Sequence, residues 1–201
     1  MLIDVGSDSY GGKFKFLTFI DALLQTTYFG LAFVVDIVDR KTSFHVRRWR
    51  DNFFSILAFP VGTFVVVTFW AIYAVDRELV YPKELDKIIP AWMNHAMHTT
   101  VLPLLLLEKY LIYHKYPCRR DGMLGLLFFA SLYAAWIFWI AYYVDLWVYP
   151  ILQVLQIHER AIFIVLLYAF FISIYILGEA ITKFLWRNHI HMLTVQKKKI
   201  K

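Results

Sequence analysis

Five apolar runs dominate the sequence, at about residues 14–38, 53–75, 88–112, 123–143 and 161–186. A bilayer core of about 30 Å takes roughly 20 apolar residues as a helix, and each run meets that length. Hydrocarbon offers no water to backbone N–H and C=O groups, so a spanning chain must be helical or form a closed barrel. The runs are too long for strands and show no sustained alternation. The expected fold is therefore all-α, a polytopic integral membrane bundle of about five transmembrane helices. Composition agrees: 60% of residues are hydrophobic and 19% aromatic, against about 45–50% apolar in an average soluble domain. Trp70, Tyr73, Trp92, Trp147, Tyr149 and Trp186 fall at the expected membrane interfaces. Pro60 and Pro103 lie inside spans, which membrane helices tolerate when neighbours satisfy the freed carbonyls. No linker, low-complexity tract or fixed-period repeat divides the chain. Residues 1–201 read as one transmembrane domain, ending in a basic tail over 187–201.

The cationic residues set the orientation. The connection after the first run holds five lysines and arginines, the one after the third holds four, and the segment from Lys183 holds six. The opposite side receives two before the first run, three between the second and third, and Arg160 alone between the fourth and fifth. Fifteen against six, alternating, places the N-terminus outside or luminal and the C-terminus in the cytosol. The net charge of +6 is then a topology signal, and no nucleic-acid-binding module accompanies it. The N-terminal stretch lacks the basic-then-apolar layout of a signal peptide, so the first span is expected to direct insertion. The single cysteine, Cys118, excludes an intrachain disulfide and reads as a free thiol; beside Arg119 and Arg120 it is also a conceivable acylation site. Lys198 and Lys199 stand fourth and third from the end, the spacing of a dilysine retrieval signal of the endoplasmic reticulum. A basic segment drawn to anionic headgroups is the competing reading. The expected residence is the endoplasmic reticulum, with the plasma membrane as the alternative.

Several polar side chains interrupt the apolar runs. Thr18, Asp21, Gln25 and Asp36 fall on one side of the first helix at 100° per residue. A carboxylate facing lipid is costly, so this stripe is expected to face the bundle interior. Asn94, His95 and His98 share a face in the third run, and the fifth contributes Ser173, Glu179 and Thr182. Counted from the luminal ends of their runs, Thr18 and His98 lie roughly 6 Å and 12 Å deep at 1.5 Å per residue. A hydroxyl and an imidazole can thus meet in the luminal leaflet.

Three readings of these groups stand side by side. The histidines can serve as interhelical hydrogen-bonding groups while Thr18 bonds its own i−4 carbonyl. His95 and His98 can share a metal, with a third ligand from another span. An imidazole can instead take the proton of a hydroxyl nucleophile. No standard hydrolase, zinc-protease or nucleotide-binding motif decides between them. A transporter or channel lined by Asp21, Asp36 and Glu179 is the non-enzymatic alternative, although no pair of broken, repeat-related helices is visible.

The stretches "YGGKFKFLTFID", "LAFPVGTFVVVTFWAIYAVDRELVYPKELDKIIPAWMNHAMHTTVLP", "YLIYHKYP", "WVYP" and "YILGE" occur in that order between Tyr10 and Glu179. Together they resemble the family of the androgen-induced and androgen-dependent TFPI-regulating proteins. The resemblance implies an integral-membrane threonine hydrolase that cleaves fatty acid esters of hydroxy fatty acids. It implies a nucleophile at Thr18, in "KFLT", and a histidine at His98, the second of "NHAMHTT". Asp21, Asn94 and His95 are expected to support them. No cofactor and no metal is implied, and the expected partners are the lipid substrate and the bilayer. Family members often carry a further hydrophobic segment ahead of the threonine span.

The charge asymmetry makes a direct prediction. A tag after Lys201 should be reached by antibody once only the plasma membrane is permeabilised, and a tag before Met1 should stay protected in intact microsomes. Both tags on one side would overturn the five-span arrangement.

Overall fold

A computed structural model describes residues 10–37 and 43–199. A 3-10 turn, Gly12–Lys15, leads into α1 (Leu17–Ile37). Helix α2 (Ser43–Phe53) runs through a π-helical turn, Phe54–Ala58, into α3 (Phe59–Val75). Then come α4 (Ala91–His98), α5 (Val101–Leu111), α6 (Arg119–Tyr143), the short α7 (Pro150–Val154), α8 (Ile157–Leu185) and α9 (Arg187–Lys199). There is no strand among the described residues, and the fold is an all-helical membrane bundle. The Arg40–Lys41 part of the first basic loop lies outside the described residues, as do residues 1–9 and 200–201 and the side chains of Lys198 and Lys199.

Among the described residues, four helices are long and apolar enough to cross a membrane: Leu17–Ile37, Phe44–Val75, Arg119–Tyr143 and Ile157–Leu185. The third expected span is not among them, because it is two shorter helices, α4 and α5, joined at Thr99–Thr100. The cause is local. Pro103 has no N–H for the Thr99 carbonyl, and its ring crowds that carbonyl out of helical geometry. The Thr99 amide keeps its ordinary bond to the His95 carbonyl at 2.9 Å, and the Thr100 amide shares that carbonyl at 3.0 Å rather than bonding Ala96. Pro60 has a milder effect: the helix continues past it, and the widened π turn immediately upstream absorbs its missing donor.

The α2–α3 helix is the axis of the bundle. In its most apolar stretch 61% is buried, against 22% in each of the other three spanning helices. Helix α3 packs on α1, α4, α5 and α8. Phe54, Phe59, Val61, Phe64 and Val65 join Tyr28, Leu105, Leu126, Phe171 and Tyr175 in one core. Large apolar side chains such as Phe33, Phe128 and Val165 stay exposed on α1, α6 and α8, as a lipid-facing surface requires. On the connection from α3 to α4, Arg77 makes two 2.9 Å bonds to Asp86, with its guanidinium over the Tyr73 and Tyr81 rings.

Gly62 lets three helices meet. A Cβ there would lie 2.6 Å from Leu105 Cδ1, 2.7 Å from Gln25 Nε2 and 3.0 Å from Val101 Cγ1. Small residues at such crossings allow membrane helices to approach closely. Gly62→Val should therefore push α1 and α5 off α3 and cost on the order of 1–3 kcal/mol, as overpacking generally does. A melting temperature in detergent equal to that of the unsubstituted chain would show that the crossing has slack.

Candidate functional site

Helix α1 begins with its first amide held from outside. Leu17 N–H donates to the Tyr149 hydroxyl at 3.0 Å, and the Phe19 and Ile20 amides donate to the Phe16 carbonyl. This fixes Thr18, half-buried, at the second position of the helix. Its Oγ1 lies 3.1 Å from His98 Nε2 on α4. Thr26 and Thr100 show the usual behaviour of helical threonines, donating to the carbonyls four residues back. Thr18 departs from it: its hydroxyl faces the imidazole.

His98 is buried and held on every side. Its Nδ1 lies 2.8 Å from Asn94 Oδ1 and 3.2 Å from the Asn94 carbonyl. Both of these oxygens only accept, so Nδ1 carries a proton, and in the neutral ring Nε2 then offers its lone pair. Thr18 O–H is then the donor and Nε2 the acceptor. The Phe69 ring stacks on the imidazole at 3.7 Å and 11°. Trp70 Nε1–H donates to the His98 carbonyl at 2.6 Å, at the point where the helix breaks. The spacing of Asn94 and His98, one helical turn apart, is what lets a single helix supply both the imidazole and the group that orients it.

Thr18 also lines an apolar cavity of about 130 Å³, walled by Phe64, Val65, Phe69, Ile137, Leu152 and Phe171. The hydroxyl-bearing side chains around it are Thr18, Thr68, Tyr133, Tyr149 and Tyr168. In the segment around Tyr149, Arg160 donates to the Leu152 carbonyl at 2.6 Å, and its guanidinium lies over the Trp147 ring at 4.1 Å.

Of the five residues expected at the site, the structure brings three together: Thr18, His98 and Asn94. His95 is exposed and faces elsewhere, with Nδ1 3.1 Å from Thr99 Oγ1 and its ring stacked on Trp70 at 5.6 Å. Asp21 is buried but bonded to Gln25 Nε2 at 2.8 Å, and Gln25 also donates to the Ala58 carbonyl. Asp36, on the same expected stripe, is exposed, and so is Ser173. Glu179 and Thr182 are buried in a separate network with Lys109, Arg119 and Lys183. Among the described residues, no three His, Cys, Asp or Glu side chains converge as a metal site. Phe69, Trp70, Tyr133 and Tyr149 were not expected at the site. Trp70 and Tyr149 read in sequence as interfacial aromatics, and their polar tips are the signal that they need partners.

These features define a class: a helical membrane protein with a threonine, a histidine and an asparagine hydrogen-bonded in series beside an apolar cavity. The family described as FAR-17a/AIG1-like protein matches residues 3–183, and the chain belongs to it. It is 40% identical over 189 residues to the human androgen-induced gene 1 protein, covering 89% of this chain and 79% of that one. It is 38% identical over 180 residues to the human androgen-dependent TFPI-regulating protein, covering 88% and 78%. The golden hamster form of the latter is 39% identical over 193 residues, covering 94% and 83%. No solved structure matches the chain.

The tautomer of His98 can be measured. With ¹⁵N-labelled histidine, Nδ1 of His98 should give the protonated-type shift and Nε2 the lone-pair type. Asn94→Leu should leave only the backbone acceptor and mix the two tautomers. A spectrum already mixed before substitution would mean that Asn94 does not fix the ring.

Proposed function

We propose that this protein is an integral-membrane carboxylic ester hydrolase acting on fatty acid esters of hydroxy fatty acids, with Thr18 as nucleophile and His98 as base. The observation that carries the reading is the 3.1 Å contact between Thr18 Oγ1 and a histidine nitrogen whose lone pair is free to accept. An imidazole placed to take a hydroxyl proton is the defining geometry of nucleophilic catalysis by an alcohol side chain. Asn94 holds the ring in the reactive tautomer, the part an asparagine plays in cysteine–histidine–asparagine proteases. The apolar cavity beside Thr18 supports a lipid substrate, each buried methylene contributing about 0.8 kcal/mol.

The geometry supports the following reaction. Thr18 Oγ1 attacks the ester carbonyl as its proton passes to His98 Nε2. The tetrahedral intermediate collapses, the ester C–O bond breaks, and Nε2 returns the proton to the departing hydroxy fatty acid. Water then gives its proton to Nε2 and attacks the acyl-threonine, releasing the fatty acid and restoring Thr18. Such an ester already partitions into the bilayer, so it reaches the bundle laterally. The charge asymmetry supports a luminal site with the C-terminus cytosolic, and Lys198–Lys199 support residence in the endoplasmic reticulum.

Thr18→Ala and His98→Ala should each abolish hydrolysis of a palmitoyl ester of hydroxystearic acid by purified protein in detergent. Residues that act as one unit are strongly non-additive, so the double variant should be hardly slower than either single one. Thr18→Val keeps the shape without the hydroxyl and should be inactive. A serine-reactive fluorophosphonate should label the native chain and lose Thr18→Ala entirely. Full labelling of a well-folded Thr18→Ala protein would place the nucleophile elsewhere, and no labelling of the native chain would favour a non-enzymatic membrane protein.

A further inference from the structure

An acyl transfer needs a donor for the oxygen that becomes negative, and the hydroxyls around the cavity can be accounted for one by one. Tyr168 donates to Ser131 Oγ at 3.1 Å. Tyr133 donates to the Lys15 carbonyl at 2.9 Å. Thr18 faces His98, and Thr68 Oγ1 is buried without a partner. The Tyr149 oxygen accepts the Leu17 amide at 3.0 Å and lies 2.7 Å from the Tyr133 oxygen. Tyr133 has one proton, and the Lys15 carbonyl takes it. The Tyr149 proton therefore points at Tyr133 in the resting site. Unlike Tyr133, Tyr149 can turn that proton away without depriving a backbone group of its partner.

We propose that the Tyr149 hydroxyl is the donor that stabilises the oxyanion formed at Thr18. The inference rests on the hydrolase reading and adds a residue to it. Three observations place the donor. Tyr149 bonds the amide of Leu17, the residue next to the nucleophile. Thr18 and Tyr149 line the same cavity. Both sit at the N-terminal end of α1, where the helix dipole favours negative charge. By accepting the Leu17 N–H, the phenol is polarised into a stronger donor, as chained hydrogen bonds are. In the addition step the Thr18 Oγ1–carbon bond forms and the carbonyl π pair moves onto oxygen. The threonine proton goes to His98 Nε2, while Tyr149 donates a hydrogen bond and keeps its proton. On collapse the oxygen's electron pair re-forms the carbonyl, the leaving alkoxide takes the proton from Nε2, and Tyr149 swings back to Tyr133.

The test uses the full chain in detergent micelles with a palmitoyl ester of hydroxystearic acid. Removing one oxyanion donor costs on the order of 10²–10³ in kcat. Tyr149→Phe should show that loss with KM changed by less than about threefold, since the contact exists only in the transition state. Tyr133→Phe removes the resting acceptor but not the donor, and should lose less than about tenfold. Equal losses in the two would mean that the pair merely holds the start of α1, and the proposal would fail. A larger loss in Thr68→Val than in Tyr149→Phe would also overturn it, by making Thr68 the donor. Should Tyr149→Phe not fold, fluorotyrosines of graded acidity at position 149 decide. The proposal expects kcat to rise with phenol acidity, and a flat series would refute it. Activity that survives Thr18→Ala would instead remove the hydrolase reading itself. That result is distinct from a Thr18-dependent enzyme indifferent to Tyr149.

Discussion

An imidazole buried in an apolar bundle needs partners for both nitrogens, because an unsatisfied polar group in a low-dielectric interior costs several kcal/mol. At His98 that requirement ties three helices together. Asn94 of α4 takes the Nδ1 proton, Thr18 of α1 serves Nε2, and Phe69 of α3 covers the ring face. The rest of the end of the bundle follows from holding this arrangement. The break caused by Pro103 separates α4 from α5, and the His98 carbonyl at that break takes the Trp70 indole proton. The Leu17–Tyr149–Tyr133–Lys15 chain then anchors α1 on its other side, so the threonine cannot slide along its helix axis.

The opposite end has its own polar cluster, built for closure. His114 is buried between Asp51 and Glu108, at 3.3 Å from each, and stacks on Phe54 at 4.0 Å. Glu108 also accepts from Tyr28, and Asp51 pairs with Arg50 at 2.8 Å. Lys109 is 1% exposed, and its Nζ donates to Tyr116 Oη, the Gly178 carbonyl and Thr182 Oγ1, each at 3.0 Å. An ammonium has three protons, and here all three have acceptors, with the Phe59 ring below at 4.1 Å. The charged groups of this cluster are paired, with Tyr175 Oη and Asn52 Oδ1 buried beside them without partners, whereas the Thr18 end keeps a cavity and a phenol proton that can be redirected. That contrast separates a structural polar network from one with capacity left for a ligand.

Much of this was legible in the sequence, for identifiable reasons. Length and apolar character mark α1, α3, α6 and α8 because lipid imposes them directly. Thr18 and His98 were reachable from depth counting and from the family resemblance, and Asn94 from its one-turn spacing. The third span read as continuous because hydropathy does not register a missing amide; Pro103 was visible, but whether neighbours repair the helix depends on packing. His95 misled because adjacency in sequence rotates a side chain by 100°, enough to send it from the site to the surface. Asp21 misled differently. It shares the inward face with Thr18, yet Gln25, one turn on, claims its carboxylate. Tyr149 carried the least signal, since an aromatic residue at a span end ordinarily belongs to the interfacial belt.

The non-enzymatic reading can be weighed on the same residues. A transport path needs polar groups spaced across the membrane and able to exchange partners. Asp36 is exposed, Asp21 is bound to Gln25, and Glu179 sits between Arg119 at 2.8 Å and Lys183 at the far end. Between the two polar ends lies the packed core of Phe64 stacked on Phe171 at 3.8 Å, with Tyr28, Phe59 and Leu105 fully enclosed. A solute would have to dissolve that core to pass. On the proposed reading a lipid ester has no such need, since Thr18 faces an apolar cavity at one end of the bundle. Under that proposal, the packing that fills the middle of the bundle is also what would keep water from an acyl intermediate at one end.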